Sequence, residues 1–582
     1  MKKNMKNIRY FIGWAGAVCL LLPSCTKKDL AAINTKPGIL PSATPQALFQ
    51  MATMITQNSN EYFYDYNRFM FPVAQIFTNN NKGVAINTFT EGTSLSTRYN
   101  DFFSTSNDIK FPIGVGNYLT DAERQFNKLP AAEQAKKTSW VPIFHILKAY
   151  YAFYVTDVYG SIAYSQAFKA QEGIQKPVYD NQQALFDTLD TQLKAAVATL
   201  KTAAASTTES PLGSFDLYYG TKSDEVTKWV RAANALRLKI AMRLMKRNPT
   251  KTAAIANEVI SDNAGLMSSN DDNWLFQPAN AYFGSSGGNW DPFSNGGGGK
   301  GIKGTIDYMW NNSDPRIRLY YQQNNYSQDN ITTAIAAGVL ATGTTEPARR
   351  YVGSYASPDA ANSPANGRLE STQKVNSNLT LDTLSSIQDR LISPSNSHTP
   401  GVNGTGSATF ILISYADVCF MRAELAARGV TSENAAALYN AGIAASISMY
   451  DGIAALAQVY NYKSVDPAEI TSYLSAPDVA YNPANALQQI IVQEYINYFL
   501  QPNEAWALIK RTGMPNASTP LVYETFKING SVAPYPRRAT LQYPSQADDN
   551  YVNEKAAIDA MVADPNFGVP GDNTGRVWWD MP

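Results

Sequence analysis

Cys25 stands where attachment of a lipid would require a cysteine. Four basic residues within the first nine positions precede an apolar stretch over residues 10–22, and the small residue Ser24 comes directly before Cys25. At about 13 residues the stretch is shorter than the roughly 20 that a spanning helix needs, so it predicts a signal peptide over residues 1–24. The order Leu22-Pro23-Ser24-Cys25 is similar to a lipobox, from which Pro23 departs. We therefore expect acylation of Cys25, including palmitate; the alternative is an ordinary secretory signal in which this cysteine is incidental.

Aromatic rings and short polar side chains recur in a glycine-rich part of the chain. Trp274 and Trp290 lie within seventeen residues of polar sequence, which packing between helices explains poorly. A sugar ring has C–H faces that stack on indole, while its hydroxyls need short polar partners and flanking glycines allow close backbone approach. The predicted ligand-binding residues are Trp274, Tyr282, Asn289, Trp290, Asp291 and Phe293. The alternative is that these rings form a small satellite core beneath the loops.

Histidine and cysteine, on which most zinc sites and many catalytic sites depend, are scarce in this chain. The chain has only two histidines, His145 and His398, which excludes a His-rich zinc site and an H-E-x-x-H protease. His145 lies in an apolar stretch and is expected to be a core residue rather than a general base. We predict no catalytic residue, no metal site and no cofactor. A glycosidase pair of carboxylates, far apart in the chain, stays open as an alternative.

The composition favours an uncharged ligand. Lys plus Arg and Asp plus Glu each number 48, so the net charge is zero, and charged residues make up 16% of the chain against about 25% in an average protein. A nucleic-acid partner would require a basic surface and is not expected. Aromatic residues make up 12%, and uncharged polar residues take the place of charge. Of the three cysteines only Cys419 would remain free in the mature chain, as a small core hydrophobe.

Helical periodicity predicts a scaffold around the loop-rich region. The predicted helices cover residues 46–57, 60–77, 140–158, 180–200, 226–245, 252–261, 411–427, 434–449 and 484–511, the last with an interruption near Pro502. Successive antiparallel pairs predict a mostly α fold of helix-hairpin, tetratricopeptide-like repeats, although the strict repeat consensus is absent. Residues 25–45 are expected to be a lipidated tether, and residues 46–582 a single domain with a large loop-rich insertion over about 266–406. In the helix over residues 226–245, the apolar stripe places Arg231, Lys239, Arg243 and Lys246 largely away from the core.

Five stretches of the chain form a recognisable set: a Tyr-rich helix and its Asp-Val-Tyr-Gly turn within residues 147–167, the Ala-Leu-Arg helix over 229–243, Asp314-Pro315-Arg316, residues 413–424, and the group 504–506, 510–513, 536–538 and 543–544. Together they resemble the SusD/RagB family of nutrient-binding outer-membrane lipoproteins, most closely its SusD-like branch. Ala163 stands where the family usually has proline. Taken as residues alone, these stretches are packing motifs, and Glu424 is expected to pair with Arg422 or with an arginine of another helix.

The resemblance implies a function that composition and periodicity do not reach. Members of this family bind glycan, or in some cases peptide, at the cell surface without catalysis. They partner with a TonB-dependent transporter of the SusC kind and lie over its extracellular mouth. The resemblance therefore implies a lipid-anchored outer-membrane protein that passes an oligosaccharide to such a transporter. A peptide ligand, a surface glycoside hydrolase and a scaffold that binds only protein are the alternatives.

Overall fold

The computed structural model describes residues 43–55, 61–78, 83–85, 87–90, 95–104, 113–278, 299–366, 372–397 and 404–582. The helices of eight residues or more are α1 Pro45–Met54, α2 Ser96–Phe103, α3 Val115–Phe126, α4 Trp140–Tyr159, α5 Gln182–Ala204, α6 Glu225–Leu244, α7 Pro249–Ser261, α8 Lys303–Asn311, α9 Gln328–Ala336, α10 Tyr415–Ala427, α11 Ala435–Ala457, α12 Pro467–Leu474, α13 Ala486–Asn497, α14 Pro502–Thr512 and α15 Tyr551–Val562. A π-helical segment, Tyr62–Met70, precedes α2. The prediction of a mostly helical fold is confirmed.

Helix hairpins form the scaffold, as the sequence predicts. Helix α4 packs on α5, α6 on α7, and α10 on α11, and α6 also contacts α5 and α10. Helix α4 is apolar almost all round, and sixteen of its residues are buried, so it runs through the core. It ends at Gly160, whose φ of 79° is a conformation that glycine adopts at little cost.

The strands are short and join parts of the chain that are distant in sequence. They are β1 Phe77–Thr78, β2 Trp274–Phe276, β3 Lys300–Gly301, β4 Thr372–Lys374, β5 Thr380–Asp382, β6 Phe410–Ile413, β7 Lys527–Ile528 and β8 Ser531–Val532. Strand β1 pairs with β3 and β2 with β6, while β4–β5 and β7–β8 are local pairs, all antiparallel.

The structure differs from the predicted elements in several places, and α2, α3, α12 and α15 are helices that the sequence did not predict. The helix predicted from residue 411 begins at Tyr415, because Ser414 and Asp417 form a capping box there and Phe410–Ile413 is strand β6. The predicted loop-rich insertion also contains α8 and α9.

Two further sequence expectations concern burial and membrane association. Cys419 is fully buried, as predicted, and burial raises the pKa of its thiol to about 11. Within the described ranges, no helix has both the length and the hydrophobicity that crossing a bilayer requires.

Candidate ligand-binding region

The six predicted ligand-binding residues fall into two groups. Trp274 lies in β2, whereas Tyr282, Asn289, Trp290, Asp291 and Phe293 lie within residues 279–298, outside the described residues. The prediction for these five remains a prediction. Cys25 and His398 also lie outside the described residues.

Trp274 belongs to the core, so its assignment to the ligand site is wrong. Its side chain is 0% exposed. Its ring centroid lies 5.1 Å from that of Trp229, 5.2 Å from that of Tyr150 and 5.7 Å from that of Tyr218. The sequence did not reveal this packing because the partner rings come from α4, α6 and the turn between α5 and α6.

Backbone pairing fixes the chain on both sides of residues 279–298. Strand β2 leads into them, and Phe276 pairs with Phe410 of β6. The Gln277 side chain continues this contact by donating a hydrogen bond to Thr409 Oγ1 at 3.0 Å. Strand β3 leads out of them, and Lys300 pairs with Thr78 of β1. Both flanks are therefore held by strands far away in sequence.

A buried charged cluster lies next to strand β6. The Tyr62 ring packs on the Phe410 ring at 5.2 Å, and the neighbouring Glu61 faces Arg98 at 3.9 Å. Burial raises the pKa of Glu61 to about 7, against the opposing effect of Arg98. Burial likewise raises the pKa of Asp65 to about 6. Both carboxylates are at most 2% exposed and face Arg98, so this pair is not open to a glycosidic bond.

A second ion-pair network joins α4, α6, α10 and α14. Arg243 donates two hydrogen bonds to Asp157, at 2.8 and 3.2 Å, and one to Glu504 at 2.9 Å. Lys239 lies 3.2 Å from Glu504 and 3.4 Å from Asp417. Burial alone would raise the pKa of Glu504, but the neighbouring Arg243 and Lys239 lower it to about 2. The prediction that Lys239 and Arg243 point away from the core is wrong, because carboxylates of three other helices neutralise them inside it.

The Glu424 motif is part of the same buried region. Arg511 of α14 donates to both carboxylate oxygens of Glu424 at 2.6 Å, and Arg428 adds a bond at 2.8 Å. The sequence left two partners open for Glu424, and the second of them, an arginine of another helix, is therefore confirmed. Arg422 pairs with Glu433 instead.

The Asp-Pro-Arg motif has a comparable structural role. The Arg316 guanidinium is fully buried and pairs with Asp314 at 2.7 Å. It also donates to Gln493 Oε1 at 2.8 Å, Ser446 Oγ at 3.0 Å and Tyr473 OH at 3.2 Å. These partners lie on α11, α12 and α13, so one side chain joins three helices to the insertion.

His145 is more exposed than the sequence predicts. Its side chain is 38% exposed, and its Nε2 lies 3.0 Å from Glu123 Oε2 of α3. The prediction of a core histidine is wrong because this position of α4 faces a groove of about 570 Å³ between α3, α4 and α5 rather than the core. Among the described residues, no group of three or more His, Cys, Asp or Glu could hold a metal ion.

An exposed aromatic surface on α8 was not predicted from the sequence. Trp310 is 39% exposed, and in the part of the chain that the structure describes it is the one exposed tryptophan. The Trp310 and Tyr351 ring centroids lie 6.1 Å apart, and the Arg349 guanidinium lies 5.6 Å from the Trp310 ring centroid. The available signal was a tryptophan beside Asn311 and Asn312 within the insertion.

Comparisons with known proteins agree on one family. A family model of SusD-like proteins, described as starch-binding and associating with the outer membrane, matches residues 41–544. A solved SusD homologue from Bacteroides fragilis is 22% identical, with a TM-score of 0.63, and the match covers 93% of this chain and 99% of that one. A SusD homologue from Bacteroides uniformis is 19% identical, with a TM-score of 0.63, over 92% and 99% of the two chains.

A third solved structure is described as a chitin-binding protein. It is 21% identical, with a TM-score of 0.62, and the match covers 93% of this chain and 100% of that one. No curated protein matches the chain. At these identities the solved structures establish the fold, and the family model establishes the family.

Proposed function

The chain belongs to the family of SusD-like proteins, which bind nutrients at the outer membrane, and from this premise we propose that it captures an oligosaccharide without catalysis. The observation that carries the proposal is the match of a starch-binding family model over residues 41–544. The zero net charge supports an uncharged ligand. Residues 279–298 supply the proposed contacts through Tyr282, Asn289, Trp290, Asp291 and Phe293.

The position of these five residues in the chain favours a binding role. They follow a strand that is anchored on β6 and precede one that is anchored on β1. A recognition segment on a rigid scaffold can present rings and amides to a ligand while the core carries the stability of the fold. A stacked pyranose and short polar partners for its hydroxyls fit this combination of side chains.

Replacement of Trp290 by alanine tests the proposal. We expect the affinity for a bound starch or chitin oligosaccharide to fall by about 1 kcal/mol or more, because an exposed ring contact is lost, while the melting temperature hardly changes. Calorimetric titration and thermal unfolding measure the two effects. If Trp290 belonged to a satellite core, stability would fall by about 3 to 5 kcal/mol instead.

The matched control is Tyr460→Ala, which removes a ring that is 46% exposed outside the insertion. Its affinity for the oligosaccharide should equal that of the wild type. Unchanged affinity in Trp290→Ala would remove Trp290 from the site. A wild-type protein that binds peptides and no oligosaccharide would favour the peptide-binding alternative.

The proposed membrane anchor is a lipid on Cys25. Its basis is the basic start, the short apolar stretch and the cysteine that follows. Radiolabelled palmitate should enter the wild type and not Cys25→Ala. Labelling of both proteins would contradict the proposal. Protease treatment of intact cells separates surface display, which we also propose, from a location on the inner leaflet, where the protein would be protected.

We further propose that the partner is a TonB-dependent transporter of the SusC kind, in line with the family resemblance. Pull-down from gently solubilised membranes should recover a large β-barrel protein in stoichiometric amount. A Cys25→Ala protein purified without membranes provides the control for nonspecific capture. Recovery of the lipoprotein alone from wild-type membranes would argue for a free-standing binder.

A further inference from the structure

Trp310 occupies an unusual position on α8. Its neighbours Ile306, Tyr308 and Met309 are each at most 3% exposed, so this helix buries its apolar side chains efficiently. Trp310 is nevertheless 39% exposed. An indole left in water contributes less to stability than a buried one, so packing alone gives little reason for a tryptophan here.

The helix that carries Trp310 is rigidly seated. A Cβ atom on Gly304 would lie 1.9 Å from the carbonyl oxygen of Val522, so only glycine permits this close approach. Ile306 and Met309 are fully buried below it. A side chain at the end of so constrained a helix is held in a defined position, as a binding contact requires.

Neighbouring side chains brace the ring and add polar groups beside it. Arg349 donates a hydrogen bond to the Tyr351 carbonyl at 2.8 Å and pairs with Asp307, which also pairs with Lys303. Arg349 and Asp307 remain 33% and 27% exposed. The surface thus combines an exposed indole with cationic donors and a carboxylate acceptor, the groups that recognise a sugar face and its hydroxyls.

From this geometry we propose that Trp310, with Arg349 and Asp307, forms a second sugar-binding platform that stacks one pyranose unit of a long glycan. The inference rests on the proposed function and adds chain-length selection to it. Strand β3 follows residues 279–298 in the chain, and α8 starts two residues after the end of β3. Trp310 is seven residues into α8, a rise of about 10 Å, which an oligosaccharide of several units can span.

A protein with two sugar contacts binds a long oligosaccharide more tightly than a short one. Once the first contact has formed, the second forms within the same complex and no longer depends on the concentration of free sugar. A short sugar can engage either the Trp310 platform or the proposed contacts in residues 279–298, but not both at once. Removal of Trp310 should therefore weaken binding of long oligosaccharides much more than binding of short ones.

The experiment compares Trp310→Ala with the wild type by titration with maltotriose and maltoheptaose, and with chitobiose and chitohexaose. We expect the Kd for the long member of the bound series to rise about fivefold or more. The ratio of short-chain to long-chain Kd should fall towards one. Trp310→Phe, which keeps a ring, should recover part of the affinity, and Trp310→Gln replaces the alanine variant if that variant does not fold.

Tyr543→Ala is the matched control, since its ring is 47% exposed and lies 5.5 Å from the Lys555 ammonium, but in the C-terminal part of the chain. It should leave both Kd values unchanged. Wild-type affinities for both chain lengths in Trp310→Ala would overturn the platform while leaving the proposed function intact. A wild-type protein that binds none of these sugars, nor soluble starch or chitin, would overturn the proposed function and the platform together.

Discussion

Replacement of Arg243 by methionine is expected to lower the free energy of unfolding by about 3 to 5 kcal/mol. The guanidinium neutralises Asp157 and Glu504 in a site where all three side chains are at most 7% exposed. Methionine fills similar space but leaves Asp157 without its ion pair and Glu504 with Lys239 alone. Urea unfolding of the wild type and the variant, followed by circular dichroism, measures the difference.

The loss in the free energy of unfolding of Arg243→Met should depend on pH. The folded-state pKa of Glu504 is about 2, below its ordinary value of 4.5, so its ion pairs contribute stability above pH 4.5 that is lost as the pH falls towards 2. The difference between wild type and variant should therefore narrow below pH 4.5. The control Lys194→Met removes a cation whose pair with Glu258 is 61% and 43% exposed. Exposed ion pairs of this kind contribute little to stability, so Lys194→Met should unfold almost like the wild type. An equal loss of stability in Lys194→Met and Arg243→Met would contradict the assigned role of Arg243.

Trp274→Ala is expected to lower the free energy of unfolding by about 3 to 5 kcal/mol, because it opens a cavity among Tyr150, Tyr218 and Trp229. The affinity of the folded variant for an oligosaccharide should equal that of the wild type. Thermal unfolding and titration below the melting transition measure the two quantities.

Trp310→Ala is the appropriate control for the stability of Trp274→Ala. It removes the same side chain from a surface position and should change stability much less. A Trp274→Ala protein that unfolds like the wild type, or that loses affinity while remaining stable, would contradict the placement of Trp274 in the core.

Amphipathic periodicity predicted the helical scaffold well, but it gave the wrong orientation for charged side chains that are buried. On α6 the sequence suggested that Lys239 and Arg243 face solvent, since charged residues rarely enter a core. Their carboxylate partners lie on α4, α10 and α14, up to 261 residues away, and nothing in the local sequence identifies them. A local pattern cannot show which long-range partner will neutralise a charge.

The candidate site was predictable only in part for a similar reason. Trp274 and Trp290 look alike in sequence because both lie in polar, glycine-rich surroundings. The pairing of β2 with β6 carries Trp274 into the core, and this pairing spans more than 130 residues. Trp310 was overlooked because its helix α8 lies in a region whose composition favours loops.

The buried network also constrains the order in which the chain can fold. Arg243 meets Glu504 across 261 residues, and the Trp579 indole donates to the Asp157 carbonyl across 422 residues at 3.0 Å. A nascent or translocating chain exposes α4 and α6 long before these partners emerge, and until then the two helices cannot be desolvated without leaving charges uncompensated. Final docking of these helices must await the C-terminal residues, so we expect folding to be late and highly cooperative, with slow kinetics set by contacts of α4 and α6 with the C-terminal part of the chain.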